Sequence, residues 1–204
     1  MAVASDVRDH IKADLVINGT DYDTQILNAI HSALRQLRGR RYWFLQASTT
    51  LTTTVASEQV TLPTDFSAPR SFELIYSGQR MRDGSGLDFL GYDRLKRDYW
   101  TTHPLITGVP EACAIYGTTL YLSCLAGAEY SIPMTYYKKD AALPSATGTS
   151  VWFDDGYDAV RSLAQYIFKR DAQSFTATEE DGALVQDTLQ RLGETHVSFI
   201  DGGR

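Results

Sequence analysis

The hydrophobic period of this chain switches twice, from helical to alternating and back, and that double switch restricts the fold more than any single motif. From Asp21 to Arg38, "DYDTQILNAIHSALRQLR" sets Ile26, Leu27, Ile30, Leu34 and Leu37 on one helical face. Thr20 or Asp21 is placed to cap its start, Arg35 and Arg38 suit its C-terminal end, and Gly39 is placed to stop it. A shorter amphipathic piece, Asp6 to Leu15, precedes it with Val7, Ile11 and Leu15 inward. Near the other end, "VWFDDGYDAVRSLAQYIFKRDAQ" aligns Tyr157, Val160, Ala164, Ile167 and Phe168, with Asp154 or Asp155 at its start. A last helix opens at Thr178, which has capping-box spacing to Asp181, and Leu184, Val185, Leu189 and Leu192 form its stripe.

Between these ends the period is two. "ASTTLTTTVASEQVTLP" alternates threonine with Leu51, Val55, Val60 and Leu62 and is rich in β-branched residues, so it predicts a hairpin turning near Ala56 to Glu58. "RSFELIYSGQRMR" predicts a second pair of strands about Ser77 and Gly78, and "GLDFLGYDRLKRDYW" a short helix. A meander follows, with strands near Ala112 to Tyr116, Thr119 to Cys124 and Glu129 to Lys138.

Neither amphipathic end has an adequate partner alone, and packing the two together buries both stripes. The expected class is therefore α+β, a bundle of N- and C-terminal helices with a β-rich meander or extension inserted between them. The expected division is a single domain over 1–204. It has helices in 1–45, a β-rich insertion at 46–143, helices again in 150–198 and a tail at 199–204. Ile26, Ile30, Leu34, Val160, Ile167 and Leu189 are the expected core of helix packing.

Net charge is −6, which argues against a general grip on nucleic acid through phosphate neutralisation. No run approaches the roughly 20 apolar residues of a membrane span, and "MAVASDVRDHIKADL" does not read as a signal peptide. A cytosolic origin is expected. The chain holds 12 tyrosines, a residue whose ring packs while its hydroxyl finds a partner, which suits half-buried surfaces. Cys113 and Cys124 flank the turn at "YGTTL"; a two-residue loop is expected to face them across a hairpin, a three-residue loop to break that register. They read as reduced, small hydrophobes, and two cysteines without nearby histidines do not complete a tetrahedral metal site.

The residues specify no reaction centre. Of His10, His31, His103 and His196, only His103, in "WTTHPL", has a setting that resembles a site, and no G-x-S-x-G elbow surrounds any serine. "DGSG" at Asp83 to Gly86 lacks the Lys-Ser/Thr ending of a phosphate loop and reads as a turn. No catalytic residue, cofactor or metal is expected. Trp43, Trp100 and Trp152 lie at joins between helical and β-rich segments, a placement that favours packing over a sugar-binding face.

The order of motifs resembles the head-to-tail adaptor (connector) proteins of tailed bacteriophages. The resemblance rests on "ILNAIHSAL", "RYWFL", "VTLPTDF", "GVPEACAIYGTTLYLSC", "YSIPMTYYKKDAAL" and "VWFDDGYDAV", taken in sequence across nearly the whole chain. It implies a structural virion protein at the head–tail junction, assembled in the host cytoplasm and carried in the neck of the particle. It further implies a ring of twelve copies beneath the portal protein, a channel that DNA traverses without specific binding, and a platform for tail or nozzle proteins. Portal binding is then expected from Val197, Phe199, Ile200 and Arg204 of the C-terminal tail. Subunit or tail-protein contact is expected from Tyr121, Tyr130, Tyr136 and Tyr137. A tail-associated carbohydrate- or receptor-binding module, or a small hydrolase around His103, are the other readings.

Overall fold

The structure, a computed structural model, describes residues 3–81, 86–101, 105–139, 148–172 and 174–201. Helices α1 (Ala4–Asp14) and α2 (Asp23–Leu37) open the chain, followed by a one-turn 3-10 segment at Trp43–Leu45. Six strands come next: β1 (Gln46–Thr52), β2 (Gln59–Thr61), β3 (Phe66–Phe72), β4 (Ile75–Tyr76), β5 (Gln79–Arg80) and β6 (Asp88–Phe89). Helix α3 (Tyr92–Tyr99) leads to β7 (Thr107–Gly108), β8 (Ala112–Tyr116), β9 (Thr119–Leu122), β10 (Leu125–Ala126) and β11 (Ser131–Lys138). Helices α4 (Trp152–Asp155), α5 (Tyr157–Asp171) and α6 (Glu179–Asp201) complete the order. The class is α+β, with helical ends around a β-rich middle. Two compact units result, one from Met1–Leu45 with Asp140–Arg204, the other from Gln46–Lys139.

In the helical unit, α2 packs chiefly on α5, which also carries α6. Ile26, Ala29, Ile30, Ala33, Leu34 and Leu37 bury the inner stripe of α2. Val160, Leu163, Ala164, Ile167 and Phe168 do the same for α5, and Val185 and Leu189 for α6. Alanines at 29, 33 and 164 leave room for the helix axes to approach closely. Charges then fix the ends: Lys12 reaches Asp23 at 2.6 Å, Arg161 reaches Asp14 at 2.6 Å, and Lys169 reaches Asp181 at 2.6 Å.

Several helix ends differ from the sequence expectation. Tyr22, with no side-chain cap, precedes α2 in place of Thr20 or Asp21. The preceding loop is already held by a Schellman closure of α1: Val16 N–H donates to Ala13 O at 3.2 Å and Ile17 N–H to Lys12 O at 2.9 Å. Val16 itself takes φ 55°, a glycine conformation held here by a β-branched residue, and is 81% exposed. The stretch from Val151 is two helices instead of one. Gly156 separates α4 from α5, and a Cβ there would meet the Trp152 ring at 2.6 Å. Asp154 and Asp155 therefore belong to α4, and Gly156 stands at the cap of α5. The box at Thr178 is present: its N–H donates to Asp181 Oδ2 at 2.9 Å, and Asp181 N–H donates to Thr178 Oγ1 at 3.2 Å. Leu184 is exposed, because Val185 and Leu189 take the inner positions of that helix.

In the β unit, β11 lies between β1 on one side and β3 and β4 on the other, while β2, β9, β8 and β6 form a second sheet. Leu51, Phe72, Ile132 and Met134 from the first sheet share one core with Val60, Leu120, Leu122 and Cys113 from the second. Strand β8 is buried on both faces, since Ala112 and Ala114 turn the other way and meet Leu95 of α3.

Two expected pairings are corrected. β1 and β2 do not form a hairpin: β1 pairs with β11 and β2 with β9. The Thr53 hydroxyl donates to Ala128 O and accepts Tyr130 N–H, and Ala56 (φ 60°) bonds Ala126, so long-range partners take the chain out of the first sheet. Val55, one of the apolar residues of the alternating run, is exposed there. The three aromatic strands are likewise not one meander, because β8 and β9 pair together but β11 belongs to the other sheet. The cysteines also part: with Gly117 and Thr118 forming the turn, Tyr116 meets Thr119 and Cys113 meets Leu122. A two-residue loop thus excludes the facing of Cys113 and Cys124, and both are free.

The α2–α5 packing sets the first expectation for mutants. Leu34→Asp or Ile167→Asp puts a charge into the buried stripe and should cost several kcal/mol, roughly 3–5. Urea unfolding of the full chain measures it, and unchanged midpoints would contradict the shared core. Asp181 gives a pH-dependent counterpart. Burial pushes its carboxyl up, but hydrogen bonds from Lys169 and Thr178 outweigh this and hold it below the usual carboxylate value. Its stability contribution is therefore complete above the unfolded pKa of about 3.9 and disappears as pH falls through the lower folded value. Asp181→Asn should cost about 1–2 kcal/mol at neutral pH, with the gap from the native chain closing in acid denaturation series.

Candidate functional site

The last helix offers the first surface. Helix α6 runs 23 residues against 15 for α5, about 34 Å at 1.5 Å per residue. Its start is tied by Asp181 and its middle by the Ser162 and Thr188 hydroxyls, 2.9 Å apart. Farther along, His196 packs edge-on to Tyr42 at 5.8 Å and stacks on Trp43 at 6.4 Å. The next residue, Val197, is 55% exposed. Instead of the tail expected at 199–204, the helix continues through Asp201, because no glycine or proline interrupts "HVSFID". Phe199 and Ile200 thus lie on the backbone of α6; their side chains and all of Arg204 fall outside the described residues.

An aromatic platform in the β unit is the second. Tyr92 at the start of α3 stacks on Tyr116 at 4.7 Å and meets Tyr121 at 5.0 Å, with the Lys96 ammonium 5.3 Å from the Tyr92 ring centre. Trp100 lies against Tyr121 and donates its indole N–H to Leu122 O at 3.1 Å. Tyr116 is 63% exposed at the head of the β8–β9 turn. The four tyrosines expected to make contacts do not form one patch. Tyr121 is half-buried in this platform, whereas Tyr130, Tyr136 and Tyr137 are buried around β11. The Tyr136 hydroxyl donates to Asp65 Oδ1 at 2.9 Å, and burial followed by that bond raises its pKa. Most of these three rings is spent within the chain; Tyr116 and Tyr76 are the exposed ones. The sequence signal for Tyr116 was its place beside the Gly117 turn, where the strand ends and the outward position has no cover.

Chemistry-bearing groups are dispersed. His10 Nδ1 is hydrogen-bonded to the Tyr157 hydroxyl, which also donates to Asp6 O at 3.3 Å. His196 Nδ1 is buried with no hydrogen-bond partner. His31 is half-buried on α2, and His103 lies outside the described residues, as does most of "DGSG". Gly86, at its end, has φ 68° and no room for a Cβ, which would sit 2.3 Å from Phe72 O. Burial pushes the Cys113 thiol to about 12 and raises Cys124, so neither favours the nucleophilic thiolate. A cleft of about 520 Å³ between α2 and α5 mixes Gln25, Asn28, Ser32 and Asp171 with an apolar floor of Ala29, Ile167 and Phe168. Its Ser32 hydroxyl donates to Asn28 O at 2.9 Å, and its Ser174 hydroxyl accepts from the Tyr22 hydroxyl at 3.1 Å. Among the described residues no group of three metal-ligating side chains converges, and no helix is long and apolar enough to cross a membrane.

What the arrangement supplies is surface: a helix end, an aromatic platform and strand edges. A family model described as SU10 adaptor protein matches residues 3–198, almost the full chain. No curated protein matches it.

Proposed function

The chain belongs to the SU10 adaptor protein family, and from that premise we propose that it is a non-enzymatic head-to-tail adaptor in the neck of a tailed bacteriophage. It attaches beneath the portal ring, lengthens the channel through which DNA passes, and gives tail or nozzle proteins their platform. Twelve copies form the ring, assembled in the host cytoplasm. The match of one family model to both the helical ends and the β-rich middle carries this reading. The net charge of −6 supports a channel component that does not hold DNA by its phosphates.

The end of α6 is the portal contact in this reading. Its capped start and its contacts with α5, Tyr42 and Trp43 hold the helix as far as His196, and Val197 then faces outward. An exposed apolar residue on a well-anchored helix gains most from burial against another chain. Val197, Phe199, Ile200 and Arg204 make that contact, and the exposed ring of Tyr116 serves the subunit or tail side. A chain ended after Val197 should stay folded, with its thermal midpoint near that of the native chain, and should no longer bind portal-containing heads in co-sedimentation. Binding equal to that of the full chain would remove the α6 end from the portal contact.

A further inference from the structure

Strand β1 ends the five-stranded sheet: β11 pairs with one side of it and no other described strand pairs with the other. The ladder shows which backbone groups face outward. Thr53 N–H donates to Tyr130 O, so the odd-numbered residues of this segment face β11. Pro133, opposite Thr50, turns its carbonyl the other way to accept Glu73 N–H, which leaves the peptide groups of Thr50 directed away from the sheet. By the same alternation Gln46, Ser48, Thr50 and Thr52 present their N–H and C=O groups at the open edge, and the last three are exposed.

The other edges of this sheet are blunted. β3 carries Pro69 and Arg70 and pairs with β11 through two register shifts, and β4 and β5 have two residues each. β1 has seven residues, with no proline, no charge and no irregularity in its register. A row of alternating donors and acceptors is matched only by another extended backbone.

We infer that a free copy of this chain binds a second copy through β1, antiparallel, about a two-fold axis at Thr49. Among the described strands, the open edge that matches β1 in length and lack of charge is β1 itself. Copies with net charge −6 repel, but β1 itself lies in a run with no charged residue between Arg41 and Glu58. The charged side chains beside it, Arg70 on Gln46 and Glu73 in the groove with Ser48 and Thr50, reach it from beyond β11, away from the open edge. With Thr49 on the axis, Gln46 meets Thr52 and Ser48 meets Thr50, and these pairs exchange about eight hydrogen bonds. Ala47 falls opposite Leu51, small against large, on the core-facing side. The contact closes on itself and does not propagate around a ring, so it belongs to the free protein and is independent of the portal reading.

Sedimentation velocity of the full-length chain, from about 1 to about 100 μM, tests this. The native chain should shift from one-copy to two-copy mass. Ser48→Lys combined with Thr50→Lys sets lysines against lysines across the axis and should hold the chain at one copy. The same two positions changed to Glu should do likewise, and an equimolar mixture of the two variants should recover the two-copy mass. Thr50→Pro removes only an outward N–H and should weaken association at least about tenfold; it carries the test if a charged variant loses its far-UV circular dichroism. A native chain that stays at one copy throughout overturns the inference. So does association, to any mass, that persists in the lysine variant or in Thr50→Pro, or a mixture of folded variants that fails to associate. Portal binding by the lysine variant, measured in parallel, reports separately on the proposed function.

Discussion

Everything in the helical unit depends on α2 finding α5. The two helices are separated by more than a hundred residues of sequence, yet their stripes are complementary: Ile26, Ile30 and Leu34 on one, Val160, Ala164 and Ile167 on the other. Neither stripe is tolerable in water, at about 25 cal/mol per Å² of apolar surface, and neither has a comparable partner nearer in the chain. Helices α1 and α6 then add to that pair, each fixed by an ion pair to α2 or α5. Closing so long a loop costs entropy that grows only slowly with its length, so an insertion of this size is compatible with the bundle.

The insertion meets the same constraint from within. Gln46, its first residue, lies across from Tyr137, near its last, so β1 and β11 bring the two ends of the β unit side by side. Strand β11 then serves as the axis of its sheet. Pro133 is tolerated in that central strand because its missing N–H falls between β3, which ends at Phe72, and β4, which begins at Ile75. β8 does the equivalent work in the second sheet, with Cys113 in the shared core and Ala112 and Ala114 beneath α3. Strand β11 is flanked on both sides, and this is why Tyr136 and Tyr137, which look like surface residues by count, are buried.

An adaptor needs rigid elements that expose limited, defined contacts, and the distribution of exposed apolar groups fits that demand. Val197 stands on a helix already held at three levels, and Tyr116 on a tight hairpin braced by Tyr92 and Trp100. Val16 is a different case: its left-handed backbone is secured by two hydrogen bonds, and nothing in the structure explains why valine stands there instead of glycine.

Periodicity alone determined the helical ends, the strand-rich middle and the box at Thr178, because those depend on residues three or four apart, or on simple alternation. It also placed the turn at Ser77 and Gly78, both with positive φ. Only the tertiary structure decided strand partners. "TTLTTTVASEQVTL" looks like a hairpin locally, but backbone groups of Ala126, Ala128 and Tyr130 compete for the turn and separate its arms into two sheets. The candidate surfaces follow the same division. The apolar run at Val197 was legible, yet its helical state depended on how far α6 is supported, and burial of Tyr130, Tyr136 and Tyr137 depended on which strands flank β11. A sequence states which faces must be buried; the choice of what covers them is made by segments distant along the chain, whose contacts leave no local period to read.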